Sequence, residues 1–202
     1  GIVSTRLGLP GKPAIAEELM IARDIELAKY TGSKIHFTGV STARAVSLVR
    51  EAKKQGAPVT CSVAPYHLYF TDEDLIQYDT NLKVNPPLRT KEDRQELRKA
   101  VVDGTIDCIA SHHIPLDTDH KSVEFEYAHY GMTGLETAFA IVRTAVPSLD
   151  MEQLVNIFSV RARSIFGLQL ATIDVNKEAS LTLFHPDQGW TVGELKSRSK
   201  NS

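Results

Sequence analysis

The chain has 202 residues, with 23 Lys and Arg against 25 Asp and Glu for a formal net charge of −2, so electrostatics give no reason to expect nucleic acid or an anionic membrane as a partner. Its 42% hydrophobic and 24% charged residues are ordinary for a globular protein. No run approaches the roughly 18 apolar residues of a membrane span, and the first residues do not read as a basic-plus-apolar leader.

Residues 1–12 (GIVSTRLGLPGK) are punctuated by Gly and Pro and read as a loop. A helix is expected over 13–30, with Pro13 near its start, Ile21, Ile25 and Ala28 on one face, and Gly32 as its stop. An apolar run at 34–40 reads as a strand. Ser41 and Thr42 then cap a second helix, with Ala45, Leu48, Val49 and Ala52 as its apolar stripe and Gly56 at its end. Residues 58–63 (PVTCSV) form the next strand. The carboxylates Asp72, Glu73 and Asp74 sit where a short helical segment begins and favour its dipole, which is a simpler reading than an acidic ligand cluster.

Thr90-Lys91-Glu92-Asp93 is a capping box for a helix that runs to Asp103-Gly104. Residues 106–110 (IDCIA) do not alternate and read as a strand buried on both faces. Helices follow over 134–144 and 151–158. After Gly167 the grammar changes, and 171–175 and 180–184 read as short antiparallel strands, with Trp190 packing beneath them and a solvated basic end at 196–200. Cys61 and Cys108 lie in apolar strands and read as buried thiols of a reducing compartment, the cytoplasm. The alternation of strand and crossover helix implies a parallel sheet. Three or four such strands would leave an open, two-sided apolar sheet with an exposed edge, so the pattern reads as part of a larger αβ barrel.

Seven ordered strings carry a family resemblance: LGLPGKPAIAEELMIARDIELAKYTG (7–32), VSTARAVSLVREAKKQG (40–56), VTCSVAPYHLYFTDEDL (59–75), KVNPPLRTKEDRQEL (83–97), DGTIDCIASHHIP (103–115), YGMTGLETAFA (130–140) and KEASLTLFHP (177–186). Together they resemble the type I dihydroorotases of the amidohydrolase superfamily. The resemblance implies an α/β fold: the C-terminal half of a (β/α)8 TIM-type barrel over 1–167, plus part of a small β-sandwich domain and a tail over 168–202. It also implies a cyclic-amide hydrolase that interconverts dihydroorotate and N-carbamoyl-aspartate in pyrimidine synthesis. Zinc in such enzymes lowers the pKa of an attacking water and polarises the amide carbonyl. The paired His-x-His ligands, the bridging carboxylate and part of the substrate pocket belong to the upstream half of that barrel.

The active sites of such barrels lie at the C-terminal ends of the strands, and there this chain departs from the family. A ligand histidine precedes Val-Ser-Thr in the family, and Gly39 stands in its place. The aspartate that binds metal and takes a proton from water becomes His112, and a substrate-contacting histidine becomes Leu116. Pro-His-His-Leu is altered to Pro65-Tyr66-His67-Leu68. Asn85 matches the family asparagine that hydrogen-bonds the substrate, and Gly131 a loop whose backbone meets the substrate ring.

His112 and His113, adjacent on a strand, would point to opposite faces, with His112 toward the pocket as metal ligand, general base or plain filler. His36, three residues before Gly39, would face away from the pocket, and His36 and His67 read as structural hydrogen-bonding groups. With two pocket positions inert, catalysis by this chain is not expected, and zinc would be held weakly or not at all. The other reading is a dihydroorotase-like pseudoenzyme that serves assembly, with aspartate transcarbamoylase the first partner to try. The upstream half of the barrel and further copies of the chain are the other expected partners.

Overall fold

Three parallel strands, β1 (Ile35–Phe37), β2 (Val59–Val63) and β3 (Cys108–Ile109), lie in the order β1-β2-β3 in a computed structural model that describes residues 1–185, 188, 189 and 191. The register pairs His36 with Thr60 and Phe37 with Cys61, then Ser62 with Cys108 and Val63 with Ile109. Helix α2 (Ala14–Thr31) leads into β1, and α3 (Ala43–Lys54) crosses over to β2. Two further helices, α4 (Pro65–Tyr69) and α5 (Lys91–Val102), lie between β2 and β3. The repeated strand–helix crossover is the building block of a parallel α/β barrel.

Local chemistry explains the helix boundaries. Thr42 Oγ1 accepts the Ala45 N–H at 3.0 Å and starts α3. Thr90 does the same for Asp93 N at 3.2 Å, and Asp93 Oδ2 returns to Thr90 N at 3.3 Å to complete the box. Asp93 does more than the sequence implies, because its other oxygen accepts Ala43 N at 2.8 Å. One carboxylate therefore holds the first turns of two helices that pack on the same sheet. A second tie joins α2 to the top of β1. Glu17 accepts Ser41 N at 2.7 Å as well as the Ser41 hydroxyl, and Arg89 donates to Ser41 Oγ at 3.0 Å and to Lys12 O at 2.7 Å.

The main core sits between sheet and helices, with Ile21 and Ile25 of α2, Val46 and Val49 of α3, and Leu97 of α5 meeting Cys61 and Val63 of β2. Cys61 and Cys108 are free, buried thiols, as expected. Burial pushes them up to about 12 and about 11, which keeps them protonated. A smaller cluster of Ala64, Tyr66, Leu82, Val84, Leu88 and Met132 covers the C-terminal ends of the strands.

Several expectations are corrected. Residues 1–12 are not all loop, since α1 (Ile2–Leu7) forms over the first turn, with Thr5 N bonded to Gly1 O at 3.0 Å and Gly8 closing it in the left-handed region. A short helix not expected from the sequence, α4, opens at Pro65, whose fixed φ suits the first helical position. The strand expected over 106–110 is only β3, because Ile106 and Asp107 are bonded to Ala100 O and Cys61 O outside the regular ladder.

The helix expected from 134 begins at Ala138 as α6 (Ala138–Ala145). The one expected over 151–158 is longer. It comprises α7 (Met151–Val155), a wide π turn (Asn156–Val160) and α8 (Arg161–Ile165). The strands expected at 171–175 and 180–184 are absent among the described residues. A strand needs a partner to take its N–H and C=O groups, and those residues are exposed and find none there. Phe184 instead packs edge-on against Phe139 of α6 at 5.0 Å. Pro186, Trp190 and the basic run 196–200 lie outside the described residues.

Candidate functional site

The loops after β1, β2 and β3 converge on His112. This residue has φ 44, in the left-handed region and off the ladder, so strand alternation does not set the directions of His112 and His113. They part because of the turn. His113 Nδ1 accepts Gly134 N at 3.2 Å and Leu135 N at 3.4 Å, and its backbone bridges to Met132. It is a structural acceptor ahead of α6.

His112 turns toward β1 and β2. Its Nε2 lies 3.2 Å from Thr38 Oγ1 and its Nδ1 3.4 Å from the Tyr66 hydroxyl. Ser62 Oγ donates to Thr38 Oγ1 at 3.4 Å, extending the chain of polar groups to β2. Burial holds the His112 pKa below its ordinary value and pushes the Tyr66 phenol up. The imidazole is neutral near pH 7, with one ring nitrogen donating and the other accepting.

The closest approach is to Gly39. A Cβ built there would fall 2.2 Å from His112 Cε1 and 2.8 Å from Nε2, and Gly39 itself has φ +71. The His112 ring therefore fills the space that any side chain at position 39 would need. The departures at positions 39 and 112 are one packing arrangement.

The other histidines and the acidic run, read as structural, lie elsewhere, as does Leu116. His36 Nδ1 bonds Thr60 Oγ1 at 2.8 Å and its ring meets Phe166 edge-on, away from His112. His67 is buried; its Nε2 faces Pro86 O at 3.1 Å, while Nδ1 has no partner. Burial lowers its pKa to about 4. Leu116 is half-buried in the loop beyond His113. Thr71 and Asp74 form a capping box, with Thr71 N on Asp74 Oδ2 at 2.7 Å, which gives the acidic run at 72–74 its structural role.

Asn85 and Gly131 form a second corner. Asn85 Oδ1 accepts from Lys12 Nζ at 3.1 Å, and that ammonium lies 3.9 Å from the centre of the Tyr130 ring, beside Gly131. Gly131 N donates to Lys83 O at 2.9 Å. With φ +144 and an imaginary Cβ only 2.7 Å from Ile114 Cγ2, position 131 admits no side chain. Lys12, Thr38 and Lys83 were not read from the sequence as site residues. No local pattern marks them, because each meets its partner only through the fold.

The donor set for a metal is thin. No group of three or more His, Cys, Asp or Glu side chains is placed to hold an ion among the described residues, and both nitrogens of His112 face hydroxyls. A catalytic zinc takes about three protein ligands. The described residues do not fit one by themselves.

No family model matches the chain. Among curated proteins it is 44% identical over 203 residues to a dihydroorotase of Caldanaerobacter subterraneus subsp. tengcongensis, covering 99% of this chain and 47% of that one. It is 45% identical over 203 residues to a dihydroorotase of Pelotomaculum thermopropionicum, covering 99% and 48%. The chain belongs to the dihydroorotase family. It spans about half the length of these relatives, as the expected C-terminal half of such a barrel would. Among solved structures, D-hydantoinase (dihydropyrimidinase) from Thermus sp. matches with a TM-score of 0.76 at 25% identity, over 83% of this chain and 39% of that one. Dihydropyrimidinase from Brevibacillus agri matches with the same TM-score at 26% identity. The fold of this dihydroorotase-family chain is thus part of a TIM-type amidohydrolase barrel. Among its described residues no helix is long and apolar enough to cross a membrane.

Proposed function

We propose that the protein is a non-catalytic member of the dihydroorotase family, retained for the surfaces of its barrel. The observation that carries this is the His112 ring in the side-chain space of Gly39, at 2.2 Å from where a Cβ would stand. One ligand position has lost its donor atom, and the other holds a neutral imidazole bonded to Thr38 and Tyr66. Such a site supports neither step of amide hydrolysis for which zinc is needed, activation of water or polarisation of the carbonyl.

The second reading is a working enzyme that opens the dihydroorotate ring. Asn85 and Gly131 favour it, since both family positions for substrate contact are kept. One experiment separates the two: dihydroorotate ring opening by the full-length protein supplied with zinc, with bound metal counted in parallel. The non-catalytic reading expects no turnover above background from folded protein. Turnover with zinc bound would overturn it. In the double variant Gly39→His and His112→Asp, the ring that blocks position 39 is gone, and zinc content is expected to rise.

The rest of the assignment follows the same reading. Residues 1–167 are later βα units of the barrel, and 168–202 belong to the small sandwich domain, whose other strands come from elsewhere in the protein. The upstream half of the barrel pairs with β1 and covers the outer face of α2, where Leu19 and Tyr30 are 62% and 90% exposed. Aspartate transcarbamoylase and further copies of the protein are the assembly partners to test first, by co-elution from size exclusion. The two buried free thiols suit a reducing compartment such as the cytoplasm.

A further inference from the structure

Residues 116–131, between His113 and α6, form a loop that is sewn down from within the fold. Lys121 is 5% exposed, and its ammonium donates to Thr80 O at 2.7 Å and to His129 O at 2.9 Å. Thr80 Oγ1 returns a bond to Lys121 O at 2.7 Å, and Gly131 N reaches Lys83 O at 2.9 Å. A backbone bond of 3.1 Å from His129 N to His120 O then ties the two arms of the loop together.

That bond sets two imidazoles side by side. The rings of His120 and His129 meet at 4.2 Å between centres, with 61° between their planes. Asp117 Oδ1 accepts His120 N at 3.1 Å and the Nδ1–H of the same residue. The His120 ring, and then its backbone N–H, hold the Asp117 carboxyl below its ordinary value, so it stays ionised. With the proton on Nδ1, the Nε2 of His120 keeps a free lone pair. Among the described residues neither that nitrogen nor the His129 ring has a hydrogen-bond partner. A carboxylate on one ring nitrogen and a lone pair on the other is how metal-ligating histidines are prepared.

We propose that His120 and His129 bind a divalent transition-metal ion such as Zn²⁺ or Cu²⁺, with Asp117 orienting His120 and water filling the remaining positions. Imidazole suits these ions, whereas Mg²⁺ prefers oxygen ligands. Each nitrogen must come within about 2 Å of the ion. His129 is exposed and His120 half-buried, so the rings converge by turning about their side-chain torsions, a fast motion for exposed groups. Two protein donors are fewer than the roughly three of a catalytic zinc, and no third His, Cys, Asp or Glu among the described residues completes the set. The ion is therefore bound, not put to hydrolysis.

Charge on the loop favours a cation. Over 116–131, Asp117, Asp119, Glu124 and Glu126 stand against Lys121 alone. Lys83, whose charge reaches Lys121, is drawn toward Glu126 O at 2.7 Å. Neither histidine occupies a position to which the family resemblance assigns a ligand. An ion there clasps the start of the loop to its end.

The test titrates Cu²⁺ and Zn²⁺ by calorimetry into the untagged full-length protein, with electron paramagnetic resonance of the copper complex. Wild type is expected to bind one ion more per chain than His120→Gln/His129→Gln, with two nitrogens on the copper. Asp117→Asn keeps both rings and should weaken binding by about 10–100-fold, the usual cost of losing such a partner. Excess Mg²⁺ should not compete. Circular dichroism melts check folding, and metal should raise the Tm of wild type by more than that of the double variant. If the double variant does not fold, His129→Ala, at the exposed ring, carries the same comparison. Equal metal counts and affinities in wild type and double variant would overturn the proposal, as would copper spectra unchanged by loss of either histidine. An ion held at His112 instead would persist in His120→Gln/His129→Gln and vanish in His112→Ala, so the outcome is independent of whether that site is catalytic.

Discussion

The contact between Gly39 and His112 can be tested by a double-mutant cycle. In Gly39→Ala the new methyl carbon arrives 2.2 Å from His112 Cε1, well inside contact distance. Either the imidazole swings out and abandons Thr38 and Tyr66, or the β1 loop moves. Overpacking of this kind costs about 1–3 kcal/mol. Alanine at φ +71 adds roughly 1–2 kcal/mol, because Cβ crowds its own carbonyl in the left-handed region. The single variant should therefore lose about 2–5 kcal/mol. In a His112→Ala background the steric part disappears, and the same substitution should cost only the roughly 1–2 kcal/mol of the backbone term. The coupling energy is then about 1–3 kcal/mol. Urea unfolding of the four proteins, followed by circular dichroism with unchanged m-values, measures it. Equal costs in both backgrounds would refute the claim that His112 occupies the side-chain space of position 39.

Two further outcomes follow from buried groups. His67 has a pKa near 4 in the folded protein, against about 6.5 unfolded. Above pH 6.5 both states are neutral there. As pH falls from 6.5 toward 4 the unfolded state takes up a proton that the folded state does not, so stability is lost on acidification, about 2 kcal/mol of it by pH 5. His36 and His112, also lowered, act in the same direction, so wild type must be compared with His67→Gln, which should be flatter in urea unfolding between pH 7 and 5. Parallel profiles would refute the assignment. Asp93→Ala leaves Thr42 and Thr90 in place but removes the return arm of the α5 box and the acceptor of Ala43 N at α3, and should cost about 1–2 kcal/mol, against the ~1 kcal/mol of a single cap. A loss below about 1 kcal/mol in the same assay would show that the bond to Ala43 N contributes nothing.

What the sequence determined by itself is local or periodic. Pro13, Thr42 and Thr90 mark helix starts through their own φ or side-chain oxygens, and Ile21, Ile25 and Ala28 share a face because they recur at helical spacing. Val59–Val63 is apolar enough to be a central strand. Such features depend on neighbours within about a turn, so they can be read before any fold exists. The ordered strings also pointed to the family, and with it to the altered positions, Gly39 and His112 among them.

Tertiary structure decided the rest. The residues at 171–175 and 180–184 have strand-like composition but become strands only if another strand accepts their backbone groups, a condition their own sequence cannot supply. The turn that separates His112 from His113 depends on Met132, Gly134 and Leu135 arriving from beyond the loop. Thr38 meets His112 across 74 positions of chain, and Lys12 meets Asn85 across 73. At such separations no side chain signals its partner. The parallel sheet brings them together by delivering the ends of β1, β2 and β3 to one side, and only there do a missing side chain and a substituted histidine become a single packed contact.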